Sequence, residues 1–447
     1  MAPHTFNDGN IAFISSKLKR FFQHEICTPD TEPINRSMLM SDAVVTGGRG
    51  WWTRIEDFLK NLAGAGDKGA PRLSQDVSER IRIARPLCIF FMVYVHINPG
   101  VAEFDAATHG IRAFDWLRFI LADGVGRTSI GLLATVSGFL AISTGRIFPF
   151  ARFLKKRVNS LILPMAFWSG AILLMYLAGE QVKDGYLEHQ VGEAWSWAHV
   201  PNWLFGITDR PANYPLGFLR DLFLCAALTP VIIFAMRKAA LPVLAILFVL
   251  MVTHIPTIFF GNNIPFLYSL GIWLALNGKP MTKFVDKYAV LIVLVFAAYT
   301  VGMAALSFYD VLHPEDHIGP IALGVLEVQR VFGAAAFWAI CGWMMKGGIG
   351  KFFMRLEPFA FAVFCSHMLV STFYWIPFSA AFGGYYGDLY PVFFILSTPL
   401  VYASVIVGML VLNKLVPPFA TFLNGGRALP DMDLPILKKR PEDHRLI

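Results

Sequence analysis

The sequence is poor in cysteine and in charge. Of its 447 residues, only five are cysteines and 15% are charged. Cys88, Cys225, Cys341 and Cys365 lie inside apolar runs, and Cys27 stands alone near the start. Neither a disulfide framework nor a CxxC metal motif is present. We therefore expect no metal site and assign no chemistry to cysteine.

Nor does the sequence predict a signal peptide, a soluble domain past residue 80 or an internal repeat. The first apolar cluster, at residues 11–14, is too short to be the core of a signal peptide. No soluble domain boundary is visible past residue 80. The inverted repeat that marks many transporters is not detectable. Its absence weakens the case for a transport function but does not exclude one.

Apolar residues, in contrast, are abundant. They make up 55% of the chain, and the mean hydropathy is +0.54, as is typical of polytopic membrane proteins. Ten segments approach the roughly 20 residues that a transmembrane helix needs, although one of them is short. We thus expect an all-α membrane protein with about ten transmembrane helices. The predicted spans are 82–99, 127–145, 158–178, 216–236, 240–259, 263–277 (the short one), 288–308, 320–345, 358–377 and 390–413.

Lysine and arginine are concentrated in alternate gaps between these spans, and the other gaps are acidic or uncharged. By the positive-inside rule, this alternation predicts that both termini are cytoplasmic. It also accounts for the net charge of +7 without a nucleic-acid partner. The basic residues of the four gaps are Arg146, Arg152, Lys155, Lys156 and Arg157; Arg237 and Lys238; Lys279, Lys283 and Lys287; Lys346, Lys351 and Arg355.

The chain divides into three regions. Residues 1–80 are mixed and polar, which predicts a cytoplasmic and partly disordered segment. Within it, apolar residues recur at helical spacing over 51–62, as in a helix that lies on the membrane surface or binds a partner. Residues 81–413 form the transmembrane domain, and 414–447 form a cytoplasmic tail. The longest outer gap, about 179–215, is rich in tryptophan, which either anchors it at the membrane surface or stacks on sugar rings.

The first predicted span carries an arginine and a histidine on one face. Arg85 and His96 are eleven residues apart, which brings a helix back to within about 20° of its starting direction and separates the two groups by about 16 Å. Ionisable groups inside a span usually face a cavity or a partner. The pair therefore indicates a functional passage, although a snorkelling arginine and a hydrogen-bonded core histidine would give the same pattern.

Further polar residues lie in the predicted spans, mostly in the outer half. Buried ionisable groups need partners, so these residues predict either interhelical ion pairs or a polar cavity that opens outward. His367, near the middle of the ninth span, is a second candidate for the site. The outer residues are Arg127, Arg220, Asp221, His254, Glu327, Gln329 and Arg330.

A dense basic cluster follows the second span on the same side as Arg85. Arg152, Lys155, Lys156 and Arg157 have a topogenic or lipid-binding explanation. Together with Arg85 they would also attract a phosphate-rich donor such as an acyl-CoA, because guanidinium groups bind phosphate strongly.

Several of these features occur together in one known family. In order and in sidedness, they resemble the acyltransferase-3 family of bacterial membrane enzymes, which add acetyl or succinyl groups to polysaccharides, glucans and lipid-linked sugars. The resemblance covers about residues 80–413. It comprises Arg85 and His96, the Ser-Gly-Phe-Leu run at 137–140, the basic stretch 152–157, the Tyr-Pro-Leu-Gly-Phe-Leu-Arg-Asp-Leu stretch at 214–222, and Ser366-His367.

The resemblance implies a site as well as a fold. It implies that Arg85 and the basic residues contact acyl-CoA from the cytoplasm, and that His96 serves the transfer, as general base or as a transiently acylated group. His367 and Asp221 are further catalytic candidates. For substrate binding we single out four residues, since a succinyl carboxylate would need a cationic partner. These are Arg127, Arg220, Glu327 and Arg330.

The predicted function is acyl transfer, with succinyl favoured over acetyl, from acyl-CoA to a polysaccharide or undecaprenyl-linked oligosaccharide at the bacterial inner membrane. A transporter or flippase for an anionic sugar or carboxylate is the main alternative, because intramembrane arginine, aspartate and histidine serve substrate paths as well. A non-catalytic assembly subunit is a third. Fold alone does not choose between them.

Overall fold

The computed structural model describes residues 49–63, 73–100, 104–144, 147–182, 184–277, 281–313, 316 and 319–430. Contacts divide the chain into the units Met1–Ile55 and Glu56–Ile447, and the features below belong to the second, except for the first turns of the helix Arg49–Ala63. Most of the predicted N-terminal region, at 1–48 and 64–72, lies outside the described residues, as does the tail from 431. The predicted helix at 51–62 is present within Arg49–Ala63. Its contact with a membrane stays a prediction.

Every regular element of the described residues is helical, which confirms the predicted class for this part of the chain. The α-helices are α1 Arg49–Ala63, α2 Gln75–Val95, α3 Ala106–His109, α4 Ala113–Phe119, α5 Arg127–Ser143, α6 Phe150–Arg157, α7 Leu163–Glu180, α8 Tyr186–Val191, α9 Val200–Phe205, α10 Gly217–Ala227, α11 Thr229–Thr253, α12 Asn263–Leu276, α13 Met281–Lys287, α14 Ala289–Leu312, α15 Gly319–Met344, α16 Gly348–Leu356, α17 Ala360–Phe382, α18 Tyr390–Leu415 and α19 Pro417–Leu423. Short 3₁₀ turns occupy Tyr214–Leu216 and Glu357–Phe359, and π-helical segments occupy Ile120–Gly126 and Val158–Ile162.

Seven helical stretches within the described residues are long and apolar enough to cross a membrane. Their exposed surfaces are apolar, as at Leu241, Leu294 and Val407, which are between half and three-quarters exposed. Such surfaces suit contact with lipid. The protein is therefore polytopic. The seven stretches are Ala113–Ser143, Phe150–Glu180, Thr229–Thr253, Ala289–Leu312, Leu323–Met344, Gly348–Phe382 and Tyr390–Leu415.

The count of ten spans and the cytoplasmic termini stay predictions. The predicted first span coincides with α2, whose first half is too charged for a simple apolar span. The short sixth span coincides with the 14 residues of α12. The fourth and fifth share α10 and α11, and α11 is interrupted at Ala239, where the backbone is not helical (φ −149°, ψ 52°).

Helix α2 is the central element of the bundle. It packs against the first π segment and against α5, α15, α16, α17 and α18. Its buried face includes Ile83, Cys88 and Val93, each fully buried. Side chains from other helices also fix it in place: the Tyr402 hydroxyl donates to the carbonyl of Pro86 (2.7 Å), and Ser129 Oγ donates to the carbonyl of Cys88 (2.9 Å). The middle of α2 is therefore held in a defined position.

The crossing of α5 and α12 depends on two glycines. A Cβ atom on Gly138 would clash with the backbone carbonyl of Tyr268, and one on Gly271 would clash with the carbonyl of Thr135. The two helices thus approach each other through small residues, as close helix pairs in membranes commonly do. This crossing supplies a physical reason for Gly138 in the Ser-Gly-Phe-Leu run.

Helices α2 and α17 run side by side in the same direction. At one end, Arg85 Nη1 donates to Glu357 Oε1 (2.8 Å). At the other end, the rings of His96 and His367 are 5.2 Å apart. In the chain, Arg85 comes before His96, and Glu357 comes before His367. Both helices therefore run from the arginine–glutamate pair toward the two histidines, so they are parallel. The two ends of this helix pair carry two polar clusters, which lie about 16 Å apart along the helix axis.

Each π segment adjoins an arginine. Ile120–Gly126 ends directly before Arg127, and Val158–Ile162 begins directly after Arg157. A π-helical turn displaces backbone carbonyls from their α-helical partners, and such turns are frequent at functional sites. Side chains satisfy them here: Thr128 Oγ1 donates to the carbonyl of Gly124 (2.9 Å), and Ser129 Oγ donates to that of Gly126 (2.7 Å).

Candidate active site

His96 and Tyr214 form a contact that sequence reasoning missed. His96 caps the C-terminal end of α2, is half-buried, and has Nδ1 2.9 Å from the Tyr214 hydroxyl. Because this nitrogen is engaged by the phenol, Nε2 is the nitrogen left to meet a substrate. Tyr214 was visible only as the first residue of the family-like stretch, with nothing in its spacing to connect it to His96.

His367 lies next to His96 and is fully buried. Its Nδ1 donates to the carbonyl of Phe364 (2.8 Å), since a carbonyl can only accept. That bond leaves a lone pair on Nε2, which has no hydrogen-bond partner among the described residues. A buried acceptor without a partner is costly and calls for a functional explanation. We call His96, Tyr214 and His367 the histidine cluster.

The loop before α10 places Tyr214 and Arg210. Asn202 Oδ1 accepts from the backbone of Thr208 (2.9 Å) and Asp209 (3.1 Å), which fixes the turn that carries Arg210. Asn213 Nδ2 donates to the carbonyl of Cys365 (3.0 Å), which holds the start of the 3₁₀ turn against α17. The long outer gap predicted from sequence thus ends at the histidine cluster.

Cations surround this cluster. The positive charges of Arg127 and Arg210 act on both His96 and Tyr214. They also act on Arg330, which is paired with Glu327 (3.0 Å). Arg127 is 40% exposed and pairs with Asp123 (2.6 Å). Of the predicted residues, Arg127 therefore acts on His96 directly, together with Arg210, whereas Glu327 and Arg330 interact with Arg127.

Arg220 and Asp221 have a different setting. Arg220 Nη1 donates to Asp221 Oδ1 (2.8 Å) and to the carbonyl of Ile258, its Nε donates to the carbonyl of Gly206 (3.1 Å), and its guanidinium lies over the ring of Phe260 (4.3 Å). Asp221 accepts from the backbone of Phe260 (2.9 Å) and of the next residue. These bonds join two loops to α10, and none runs to the histidine cluster. The predicted catalytic and substrate-binding roles of the pair stay predictions.

The other end of α2 carries an arginine cluster, which we define as Arg85, Arg157, Arg427 and Glu357. Glu357 pairs with Arg85, and the charges of Arg85 and Arg157 act on each other and on Arg427. Enclosure by protein, together with the charge of Arg85, lowers the pKa of Arg427 to about 10. Neither Glu357 nor Arg427 was identified from sequence, because only tertiary packing brings them to Arg85.

The predicted basic stretch is only partly brought to Arg85. It forms α6, in which helical spacing places Arg152, Lys155 and Lys156 on one side and Arg157 on another. Arg157 is half-buried and belongs to the arginine cluster, whereas Arg152, Lys155 and Lys156 are exposed. Contact between these three residues and a donor stays a prediction. Their exposure equally suits the surface of an anionic membrane.

Known proteins resemble this chain over most of its length. A family model described as an acyltransferase domain, Acyl_transf_3, matches residues 79–414. The chain is 27% identical over 365 residues to the succinoglycan biosynthesis protein ExoH of Rhizobium meliloti (strain 1021). That alignment covers 79% of this chain and 94% of the relative. No solved structure shows a significant match.

Proposed function

Because this chain belongs to the acyltransferase family whose domain spans residues 79–414, we propose that it transfers an acyl group from cytoplasmic acyl-CoA to a hydroxyl of a polysaccharide or lipid-linked oligosaccharide at the bacterial inner membrane. The name of the similar protein, which refers to succinoglycan biosynthesis, supports a polysaccharide acceptor. One observation carries the proposal: α2 and α17 hold an arginine cluster at one end and a histidine cluster at the other.

The donor meets the arginine cluster first. Guanidinium groups bind phosphates through charge-assisted hydrogen bonds, so Arg85 and Arg157 hold the phosphates of CoA. The thin pantetheine arm then follows α2 and α17 for about 16 Å toward His96. The thioester carbonyl comes to rest beside the imidazole. The acceptor approaches the same point from the opposite side of the membrane.

His96 moves one proton in each direction. As a general base, His96 carries its proton on Nδ1, which donates to Tyr214 Oη 2.9 Å away, and keeps a lone pair on Nε2. Nε2 takes the proton of the acceptor hydroxyl as that oxygen attacks the thioester carbonyl. When the carbon–sulfur bond breaks, the imidazolium returns the proton to the thiolate. The products are an ester and free CoA, and His96 is restored.

Succinyl is the group that the cations near His96 favour. A succinyl thioester ends in a carboxylate, which needs a cationic partner in a site of low dielectric. Arg127, Arg210 and Arg330 carry three positive charges, and Asp123 and Glu327 offset two of them. Arg220 is less suited, because its donors are occupied by backbone carbonyls and Asp221. An acetyl group would leave this positive charge unused.

Arg127 is the residue with which to test the acyl group. Replacing it by glutamine should reduce kcat/KM for succinyl-CoA by about tenfold relative to acetyl-CoA, because only the succinyl carboxylate loses a charge-assisted bond. A free-thiol assay measures CoA release with each donor, and the ratio of the two kcat/KM values gives the change in donor preference. Arg82→Gln, at an exposed position of α2, is the matched control. An equal loss with both donors would contradict the succinyl assignment.

The enzyme proposal is tested with purified protein, succinyl-CoA and an acceptor glycan. We expect free CoA and a succinylated glycan to appear in equal amounts, and little CoA release when the glycan is left out. Vesicles that contain the protein provide the control for transport. Uptake of glycan without any acyl-CoA, together with no succinylated product, would show a transporter instead.

A further inference from the structure

The chain beyond its last long helix folds back onto the arginine cluster. After α18 ends at Leu415, α19 and a turn extend the described chain to residue 430. Trp168 Nε1 donates to the carbonyl of Leu423 (3.4 Å), and Asn424 Nδ2 donates to that of Pro358 (2.8 Å). The segment is thus joined to α7 and to the 3₁₀ turn that contains Glu357. It lies past residue 414, where the match to the family domain ends.

Glycine makes the turn in this segment possible. Gly425 has φ +65° and Gly426 has φ +78°, which residues with a side chain rarely adopt. A Cβ on Gly425 would also lie 2.7 Å from the carbonyl oxygen of Ser160 and 2.7 Å from the ring of Phe361. The turn is therefore wedged between the second π segment and α17, and this fixes the position of Arg427.

Arg427 presents its guanidinium beside the other two arginines. The group stacks on Phe361, with its carbon 4.3 Å from the ring centre, and Nη1 donates to the carbonyl of Asn424 (3.2 Å). The side chain is exposed, although Arg85, Arg157 and Glu357 all act on its charge. One of its five N–H groups is used by that bond, so others remain for a ligand.

The charge of the cluster is not balanced by the protein. Three guanidinium groups face one carboxylate among the described residues of the cluster, which leaves two positive charges at this end of α2. Repulsion between neighbouring cations is unfavourable, and an arriving phosphate relieves it. Arg157 has no hydrogen-bond partner among the described residues, and Arg85 is bonded through Nη1 only, so both can bond a phosphate.

We propose that Arg427 is a third donor-binding arginine, which holds a phosphate group of acyl-CoA together with Arg85 and Arg157. The inference rests on the proposed function and deepens it. It assigns a role to the segment that follows the family domain. The donor site then includes the segment 416–430 and is incomplete without Arg427.

The test is the kinetics of Arg427→Gln in purified protein. We expect KM for acyl-CoA to rise by about tenfold with kcat at saturating donor almost unchanged, because Arg427 lies far from His96 and contacts only the phosphates. Arg427→Lys, which retains the charge but not the planar stack on Phe361, should show a smaller rise. Arg355→Gln, exposed on α16, is the control. Size-exclusion profiles establish that each variant is folded.

Gly425→Ala gives an independent check, because it keeps Arg427 but displaces the turn. Its KM for acyl-CoA should rise as in Arg427→Gln. An unchanged KM in folded Arg427→Gln, with a raised KM in Arg85→Ala, would overturn the role of Arg427 and leave the acyl-CoA donor standing. If acyl-CoA is the donor, Arg85→Ala and Arg157→Ala should both lose CoA binding. Normal CoA binding in both variants would refute the proposed function instead.

An anionic lipid offers the same phosphate chemistry as the donor. The assays are therefore run both in detergent without phosphatidylglycerol and in nanodiscs that contain it. A donor site predicts the same KM defect of Arg427→Gln in both media. A defect that is confined to nanodiscs with phosphatidylglycerol would show that the arginine binds lipid, and would overturn the inference.

Discussion

Replacing His96 by glutamine is expected to reduce acyl transfer by about 10²–10⁴-fold, the usual contribution of a general base. Glutamine retains a polar group of similar size beside Tyr214, so the hydrogen bond to the phenol can persist. What is lost is the group that accepts the hydroxyl proton and returns it to the thiolate. The measurement is initial rate of CoA release with saturating donor and acceptor.

The expected loss is in the chemical step, so the variant should still fold and bind acyl-CoA. KM for acyl-CoA should stay near its wild-type value, because the phosphates bind at the other end of α2. His189→Gln, at an exposed position of α8, is a matched control and should transfer normally. Tyr214→Phe should lie between the two with a loss of about tenfold, since it removes only the orienting bond. Transfer by folded His96→Gln at close to the normal rate would exclude His96 as the base.

Replacing Gly138 by valine is expected to prevent the bundle from folding. The added side chain would meet the backbone carbonyl of Tyr268, which cannot move aside as a flexible side chain could. The helices α5 and α12 would have to separate. Overpacking costs about 1–3 kcal/mol, and more where backbone must move, as it must here. Gly271→Val should behave in the same way from the other helix. The yield of monodisperse protein and its midpoint of thermal unfolding measure the effect.

Glycines on the outside of the bundle provide the control. A Cβ on Gly302 or on Gly408 would have no atom within 4 Å among the described residues. Gly302→Val and Gly408→Val should therefore fold normally, and their midpoints should stay close to that of the wild type. If Gly138→Val proved as stable as these two, the crossing of α5 and α12 would be looser than the structure has it.

Much of the fold could be predicted from the sequence, because apolar length is a local property. Each of the ten predicted spans lies mostly in helix. The break at Ala239 in α11 falls in the predicted gap between spans 216–236 and 240–259, which Arg237 and Lys238 mark in the sequence. Local patterns did not predict the π segments. In the first of them, the carbonyls that it frees are satisfied by Thr128 and Ser129 through packing.

The site could be predicted only along single helices. The spacing of Arg85 and His96 gave two groups on one face of α2, and the resemblance to the acyltransferase-3 family is confirmed by the family match. Partners from elsewhere were missed: Glu357 was hidden among basic residues, and Arg427 lay in an assumed tail. Arg210 carried no signal at all. Arg220 and Asp221 looked catalytic because charge inside a span is conspicuous, whereas their bonds run to nearby loops.

Because of the two π segments, the site depends on how many residues these segments contain, and not only on which residues they are. In a π-helical turn each N–H bonds one residue further back than in an α-helix, so the turn accommodates one additional residue. Removing it from Ile120–Gly126 would rotate the preceding helix by about 100° relative to Arg127. The helix α4, with Asp115 bonded to the Tyr385 hydroxyl, would then face the wrong way. Homologous enzymes that share this site must therefore keep the spacing across both segments free of insertions and deletions, even where the side chains between differ.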